Sequence, residues 1–326
     1  MKKIVVIGGG TGTMAVLSGL KKYRDFDISV IVSMTDDGGS NAVIRDEFGL
    51  LPLSDLRKSI IALAETDNVL LRQLFTYRFD KGEGISGHTL GNLMMAALAQ
   101  ITGGENKAVE AACRLFKVRG AVLPVTLEKT YLVATYDDGE KVRGEHLIDE
   151  PEKHSQRHIK KLIVEPAVAA NPVALKAIAA ANFIIIGPGD LYTSTFANIV
   201  VPGVAKAIQK SAGEIIFINN LMTKKGQTNN FTASMMVDEF ARYVGRLPDL
   251  VLQHNKQPSK KVVAWYAFHG EEPIVDDLGK EQPYGIMRAD LIANKTVATV
   301  PGDGLVRSFI RHDAKKLGAV LRKIIK

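Results

Sequence analysis

The segment KKIVVIGGGTGT, residues 2–13, carries an apolar, β-branched run at residues 3–7 that stops at glycine. A run that is unbroken rather than alternating is the pattern of a parallel strand buried on both faces. Residues 13–23 place Met14, Val16, Leu17 and Leu20 at helical spacing, and residues 28–32 form a second β-branched run. The chain therefore opens β-α-β, with a glycine-rich turn at the first crossover. Gly9, Gly10, Thr11, Gly12 and Thr13 occupy that turn. Glycines there let the backbone turn tightly and let a phosphate approach the amide N–H groups, while the helix N-terminus adds donors and a favourable dipole. A side chain at Gly10 is expected to fill the phosphate's space and leave the chain folded. Thr13 stands where the third glycine of G-x-G-x-x-G belongs, and no Gly-Lys-Ser/Thr ending follows. The turn thus predicts phosphate binding without naming the ligand.

Two further turns follow strand-like runs. Asp36, Asp37, Gly38, Gly39 and Ser40 come directly after the second run. An acid at this place hydrogen-bonds a ribose in dinucleotide folds, and a carboxylate pair is also suited to Mg²⁺ beside phosphate oxygens. Gly187, Pro188, Gly189, Asp190, Tyr192 and Thr193 follow the buried run at residues 183–186. Their glycines and hydroxyls suit a second part of the same ligand, because open α/β sheets bind at the carboxyl ends of their strands. The stretch SGHTLGN, residues 86–92, opens a helix with Thr89 as N-cap. It brings His88, a candidate acid or base, and Asn92. No Ser-His-Asp order, HExxH pair or CxxC pair is present.

Helical patterns at residues 55–65, 69–77, 90–100 and 107–118 interrupt the α/β rhythm. Residues 130–136 and 141–148 flank Asp138-Gly139, a hairpin signal. The rhythm returns with strands at 183–186, 214–218 and 250–253 and helices at 198–210, 232–244 and 313–325. The expectation is one α/β domain over residues 1–326, a parallel sheet with helices on both faces, elaborated by helices and a hairpin over about residues 55–150.

Composition limits the function classes. The chain has 326 residues, 46% of them hydrophobic and 24% charged, a globular balance. A single cysteine, Cys113, forms no intrachain disulfide and supplies no Cys-rich metal site, which fits a reducing compartment. No apolar stretch reaches the roughly 18 residues of a membrane span, so the expectation is a cytoplasmic protein. The net charge of +7 favours anionic partners. Its basic clusters, residues 153–161 and 307–326, lack interleaved aromatics and any nucleic-acid motif, so no nucleic-acid partner is expected.

The ordered motifs VIGGGTG, DDGGS, SGHTLGN, GPGDLYTS and NNLMTKKGQT resemble the gluconeogenesis-factor branch of the 2-phospho-L-lactate transferase (CofD-like) family, from the first strand to about Arg311. The resemblance implies a Rossmann-like fold, a homodimer, and a UDP-sugar-binding regulator of carbon metabolism, cell shape and cell-wall synthesis with no established reaction. The alternative it implies is a Mg²⁺-dependent transferase acting on a nucleotide-linked donor, with Asp37 and Asp55 as the metal pair. It also places Asn220, Met222 and Thr223 beside the nucleotide. Tyr266 and Arg311 fall at positions tied to the sugar or diphosphate, with His88 and Asn92 as further contacts. Lys58 and Ser54 depart from the family's PGDIRN-like pattern, which has asparagine and glycine there, and Asp190 stands where serine is common.

Overall fold

Lys2–Ile7 (β1) and Phe26–Val32 (β2) pair in parallel, with Ile4 opposite Ile28 and Val6 opposite Val30. The crossover between them is the helix Gly10–Leu20 (α1). The computed structural model describes residues 1–38, 51–65, 69–151, 157–294 and 309–325. Ile4, Val5, Val6 and Ile7 are at most 2% exposed, as their unbroken apolar run requires.

After β2 come α2 (Ser54–Leu63), α3 (Val69–Thr76), α4 (Leu90–Thr102) and α5 (Glu105–Leu115), then β3 (Ala121–Pro124). The strands β4 (Tyr131–Tyr136), β5 (Lys141–Arg143) and β6 (Ile159–Glu165) form a small antiparallel sheet in the order β5-β4-β6, with α6 (Glu145–Asp149) between β5 and β6. The helix α7 (Pro172–Ala180) returns the chain to β7 (Phe183–Ile186). A π-helical turn, Leu191–Phe196, runs into Ala197–Ile199. Then follow α8 (Val204–Lys210), β8 (Glu214–Ile218), α9 (Ala233–Val244), β9 (Leu250–His254), α10 (Lys260–Phe268), β10 (Gly285–Ala289) and α11 (Ala314–Ile324).

The main sheet has seven strands in the order β10-β9-β8-β7-β1-β2-β3, with every neighbouring pair parallel. Strands β1 to β3 step outward in one direction and β7 to β10 in the other. Parallel crossovers are right-handed, so the two halves send their helices to opposite faces. This is the expected Rossmann-like α/β architecture. The order reverses between β1 and β7, and the carboxyl ends of these strands flank the crevice where such sheets bind ligands.

Several details differ from the sequence expectation. The hairpin forms around Asp138-Gly139, but its second arm ends at Arg143. Gly144, at φ +110, turns the chain into α6 instead of extending the strand to residue 148. Residues 159–161 of the basic stretch 153–161 begin β6, where Lys160 and Lys161 are exposed, and residues 153–156 lie outside the described residues. The single helix expected at 198–210 is broken at Pro202-Gly203, where proline cannot continue the ladder and Gly203 has φ +99. β3, α7, α10 and β10 had no expectation at all. The free Cys113 is partly buried, and burial pushes its thiol up to about 11, which suits an inert packing residue.

Candidate functional site: a cleft at the strand-order reversal

β1 ends in Gly8-Gly9-Gly10 and β7 ends in Gly187-Pro188-Gly189, and the two turns meet. A Cβ on Gly12 would lie 2.2 Å from the Pro188 carbonyl oxygen, so the first turn of α1 rests directly on the second glycine turn. Gly10 has φ +66, a left-handed conformation that favours glycine. A Cβ there would meet only the Ser194 hydroxyl, at 3.8 Å. A side chain at Gly10 is therefore opposed first by backbone strain, which corrects the expectation that it would act only by filling the phosphate space. The N-cap of α1, Gly9, makes no side-chain cap hydrogen bond. By contrast Thr89, Asn171, Thr232, Ser259 and Asp313 cap their helices with side chains. The first amides of α1 are thus left for another acceptor.

Above these turns lies a cleft of about 880 Å³, within the range of roughly 300–1,000 Å³ usual for small-molecule sites. Gly9, Gly10, Thr11 and Gly12 line it from β1. Gly189, Asp190 and Thr193 line it from β7, and Asn220, Met222 and Thr223 from β8. Asp36 and Gly38 enter from β2, Asp55 from α2, and His88 and Asn92 from the start of α4. Tyr266 and Arg311 complete it from α10 and from the segment before α11. Gly39 and Ser40 lie outside the described residues.

The remaining candidates lie behind the walls. Thr13 is buried, its hydroxyl donating to Gly9 O at 3.1 Å. Gly187, at φ +79, shapes the turn against Ile218 O. Tyr192 is rotated away from the cleft by the π-helical turn that Asp190 O opens by accepting from Ser194 N and Thr195 N. Its hydroxyl donates to Glu239 Oε1 at 2.5 Å, and its ring packs on Phe196 and Tyr243. Tyr192 is therefore a core residue rather than a nucleotide contact. Asp37 accepts from His146 N at 2.9 Å and anchors the start of α6.

The carboxylates form two groups. Asp55 lies under the first glycine turn, with a Cβ on Gly9 falling 2.3 Å from its Oδ2, and its Oδ1 is paired with Lys58 Nζ at 2.8 Å. Asp36 is pushed up to about 6 by burial and by Asp55, with Lys58 pulling the other way. Glu145 is raised well above the usual carboxylate range by burial and by Asp36. In the second group, Asp149 Oδ1 accepts from Thr193 Oγ1 and Gln227 Nε2, each at 3.0 Å, and its Oδ2 lies 3.7 Å from Lys224 Nζ. Asp190 is pushed up to about 7 by burial and by Asp149, against the pull of Lys224.

These donors do not suit a divalent ion at Asp37 and Asp55. Asp37 is committed to the His146 amide and Asp55 to Lys58. Among the described residues no group of three or more His, Cys, Asp or Glu side chains is arranged to hold a metal.

The opposite wall is basic. Arg57 is 7% exposed, with Nε donating to Asn92 Oδ1 at 3.2 Å and Nη1 to Phe75 O at 3.4 Å. Burial and the neighbouring Arg78 lower its guanidinium to about 10. Gly91 makes room for it, since a Cβ there would lie 2.4 Å from Arg57 Cδ. Asn92 therefore orients an arginine at the cleft wall. Sequence reading missed Arg57, Arg78, Lys224, Glu145 and Asp149; the only local hint was the Gly91-Asn92 pair, whose meaning depends on Arg57.

Tyr266 is 2% exposed and its hydroxyl accepts from Ile310 N at 3.2 Å. With Leu221, Met222, Val262 and Ile310 it forms a small apolar cluster, and Phe309 stacks on Trp265 at 5.1 Å. These contacts hold the segment carrying Arg311 against the cleft.

The pH behaviour of Asp190 gives one expected outcome. The folded chain holds this proton more tightly than the unfolded chain. The resulting stabilisation is fully present below the ordinary value of 3.8 and is lost as pH rises through about 7. Asp190→Asn removes the ionisation while keeping a donor for Asp149. The variant should match the parent in acid and melt at higher temperature than the parent above neutrality. Melting curves from about pH 4 to about pH 8 read the difference, and parallel curves would mean that Asp190 titrates normally.

Residues 4–295 match the family described as 2-phospho-L-lactate transferase CofD. A putative gluconeogenesis factor of Thermotoga maritima is 38% identical over 322 residues, covering 99% of each chain. The gluconeogenesis factor of Bacillus subtilis is 33% identical over 326 residues, covering 99% of this chain and 98% of its own. The crystal structure of a UPF0052 family member from Bacillus halodurans superimposes with a TM-score of 0.88 at 34% identity, covering 98% of this chain and 99% of that one.

Proposed function

The chain belongs to the 2-phospho-L-lactate transferase CofD family, with gluconeogenesis factors among its relatives, and on that footing we propose that it binds a nucleotide-sugar of the UDP-sugar type as a regulatory protein. The reading extends to the regulation of carbon metabolism, cell shape and cell-wall synthesis, in a cytoplasmic homodimer. No described helix is long and apolar enough to cross a membrane.

The observation that carries the reading is the meeting of an uncapped helix N-terminus, a second glycine turn and Arg311 in one cleft. Amide donors and a guanidinium are what a diphosphate needs. The rest of the cleft is polar enough for a sugar, and Leu221, Met222 and Tyr266 give it an apolar flank. Melting curves against UDP-, GDP- and adenine nucleotides test the proposal. A ligand at 100 times its dissociation constant stabilises by roughly 2.7 kcal/mol. UDP-sugars are expected to give the largest rise, and a rise with adenine nucleotides alone would sink the reading.

A second reading, a transferase acting on a nucleotide-linked donor, draws on Asp190, whose carboxyl titrates near 7 in the cleft. That is a suitable value for a general acid or base. Turnover of a phospholactyl nucleotide, lost in Asp190→Asn, would favour it over a binding role.

A further inference from the structure

Asp55 lies against the phosphate turn, where a Cβ on Gly9 would fall 2.3 Å from its Oδ2. An anion placed over that turn would meet this negative charge at close range. The compensating positive charge belongs to the chain itself. Lys58 lies one turn along α2 from Asp55, a spacing at which helical side chains meet. Its ammonium is 2.8 Å from Asp55 Oδ1, with the side chains of Lys58 and Asp55 only 28% and 14% exposed. The ion pair with Asp55 holds this ammonium in place as a fixed cation.

We propose that Lys58 is a built-in cation that takes the place of a divalent metal between Asp36 and Asp55, so that this cleft binds an anionic ligand without a metal. An ammonium has three donors. One is committed to Asp55, and the others are available to Asp36 and to an incoming phosphate oxygen. Mg²⁺ would instead need near-octahedral oxygen coordination, with the carboxylates deprotonated and close together. Lys58 occupies that space and supplies a single charge without an exchangeable ion. This inference takes the diphosphate ligand from the reading above, but its decisive test uses the metal alone.

The experiment measures Mn²⁺ binding by electron paramagnetic resonance in the ligand-free parent, Asp55→Asn, Lys58→Asn and the double variant. The parent is expected to bind no Mn²⁺ that depends on Asp55. Lys58→Asn, which frees Asp55 of its ion pair, should gain a bound ion, and the double variant should lose it. Asp55-dependent binding in the parent would overturn the proposal, even if Lys58→Asn does not fold. So would a folded Lys58→Asn that gains no ion. Calorimetric titration with UDP-glucose forms the second arm. The parent should bind equally with chelator or Mg²⁺, and Lys58→Asn should bind about tenfold more weakly in chelator and recover in Mg²⁺. A parent that needs Mg²⁺ overturns the inference. A parent that binds no nucleotide contradicts the ligand reading and leaves the Mn²⁺ result to decide the role of Lys58.

Discussion

Gly12→Ala is expected to lower stability by about 1–3 kcal/mol, the usual range for overpacking a close contact, and to abolish nucleotide binding. The added Cβ would lie 2.2 Å from Pro188 O, 2.7 Å from Pro188 C and 3.3 Å from Gly189 N. All three are backbone atoms, so no flexible side chain can swing aside. The two glycine turns must separate, and the amides of α1 then no longer converge with Gly189 and Asn220, whose Oδ1 accepts from Gly189 N at 3.4 Å. Gly10→Ala is the control. Its Cβ has open space, and its cost is the strain of a left-handed residue, roughly 1–2 kcal/mol. Denaturant melts and calorimetry on both variants separate the two effects. A Gly12→Ala protein as stable as the parent, with full affinity, would mean that the turns are not in contact.

Arg311→Ala is expected to weaken UDP-sugar binding by about a hundredfold, on the order of 3 kcal/mol, with almost no change in melting temperature. The neighbours of Arg311 hold the segment in place without its side chain. Ile310 N donates to the Tyr266 hydroxyl, Phe309 stacks on Trp265, and Arg311 O accepts from Ala293 N at 2.9 Å. Truncation therefore removes a guanidinium from the cleft and leaves the backbone fixed. Arg311→Lys should fall between parent and alanine, because an ammonium cannot form the paired contact that a planar guanidinium makes with a diphosphate. Equal affinities across the three proteins would place Arg311 outside the ligand's reach.

The sheet's centre was legible because β1, β2, β7 and β8 are short apolar runs stopped by glycine or polar residues, and burial on both faces leaves no other composition. The edges were not. β3 ends in proline, β10 is only half-buried, and β6 carries two adjacent exposed lysines near its start, so each reads as loop or surface charge until its neighbour is known. The site divides in the same way. Gly9, Gly12, Asp36 and Gly189 were readable because the glycine turns follow strands directly. Glu145 and Asp149 were not, because they sit on a five-residue helix whose place depends on Asp37 accepting from His146 N, 109 residues away in the chain. Arg57 was hidden for a similar reason, since it reaches the cleft wall only because Gly91 leaves space for it. Tyr192 misled because its motif is continuous with Asp190 and Thr193, while the π-helical turn buries its ring against Phe196 and Tyr243.

In the proposed binding mode one nucleotide-sugar lies across the reversal point between β1 and β7, held by both glycine turns and by Arg311. Hydrogen exchange of the backbone amides, with and without a saturating UDP-sugar, checks this placement. New protection is expected in residues 9–12, 187–194 and 309–312 together, in the parent and not in Gly12→Ala. Protection confined to other parts of the surface, or to only one of these three segments, would contradict it.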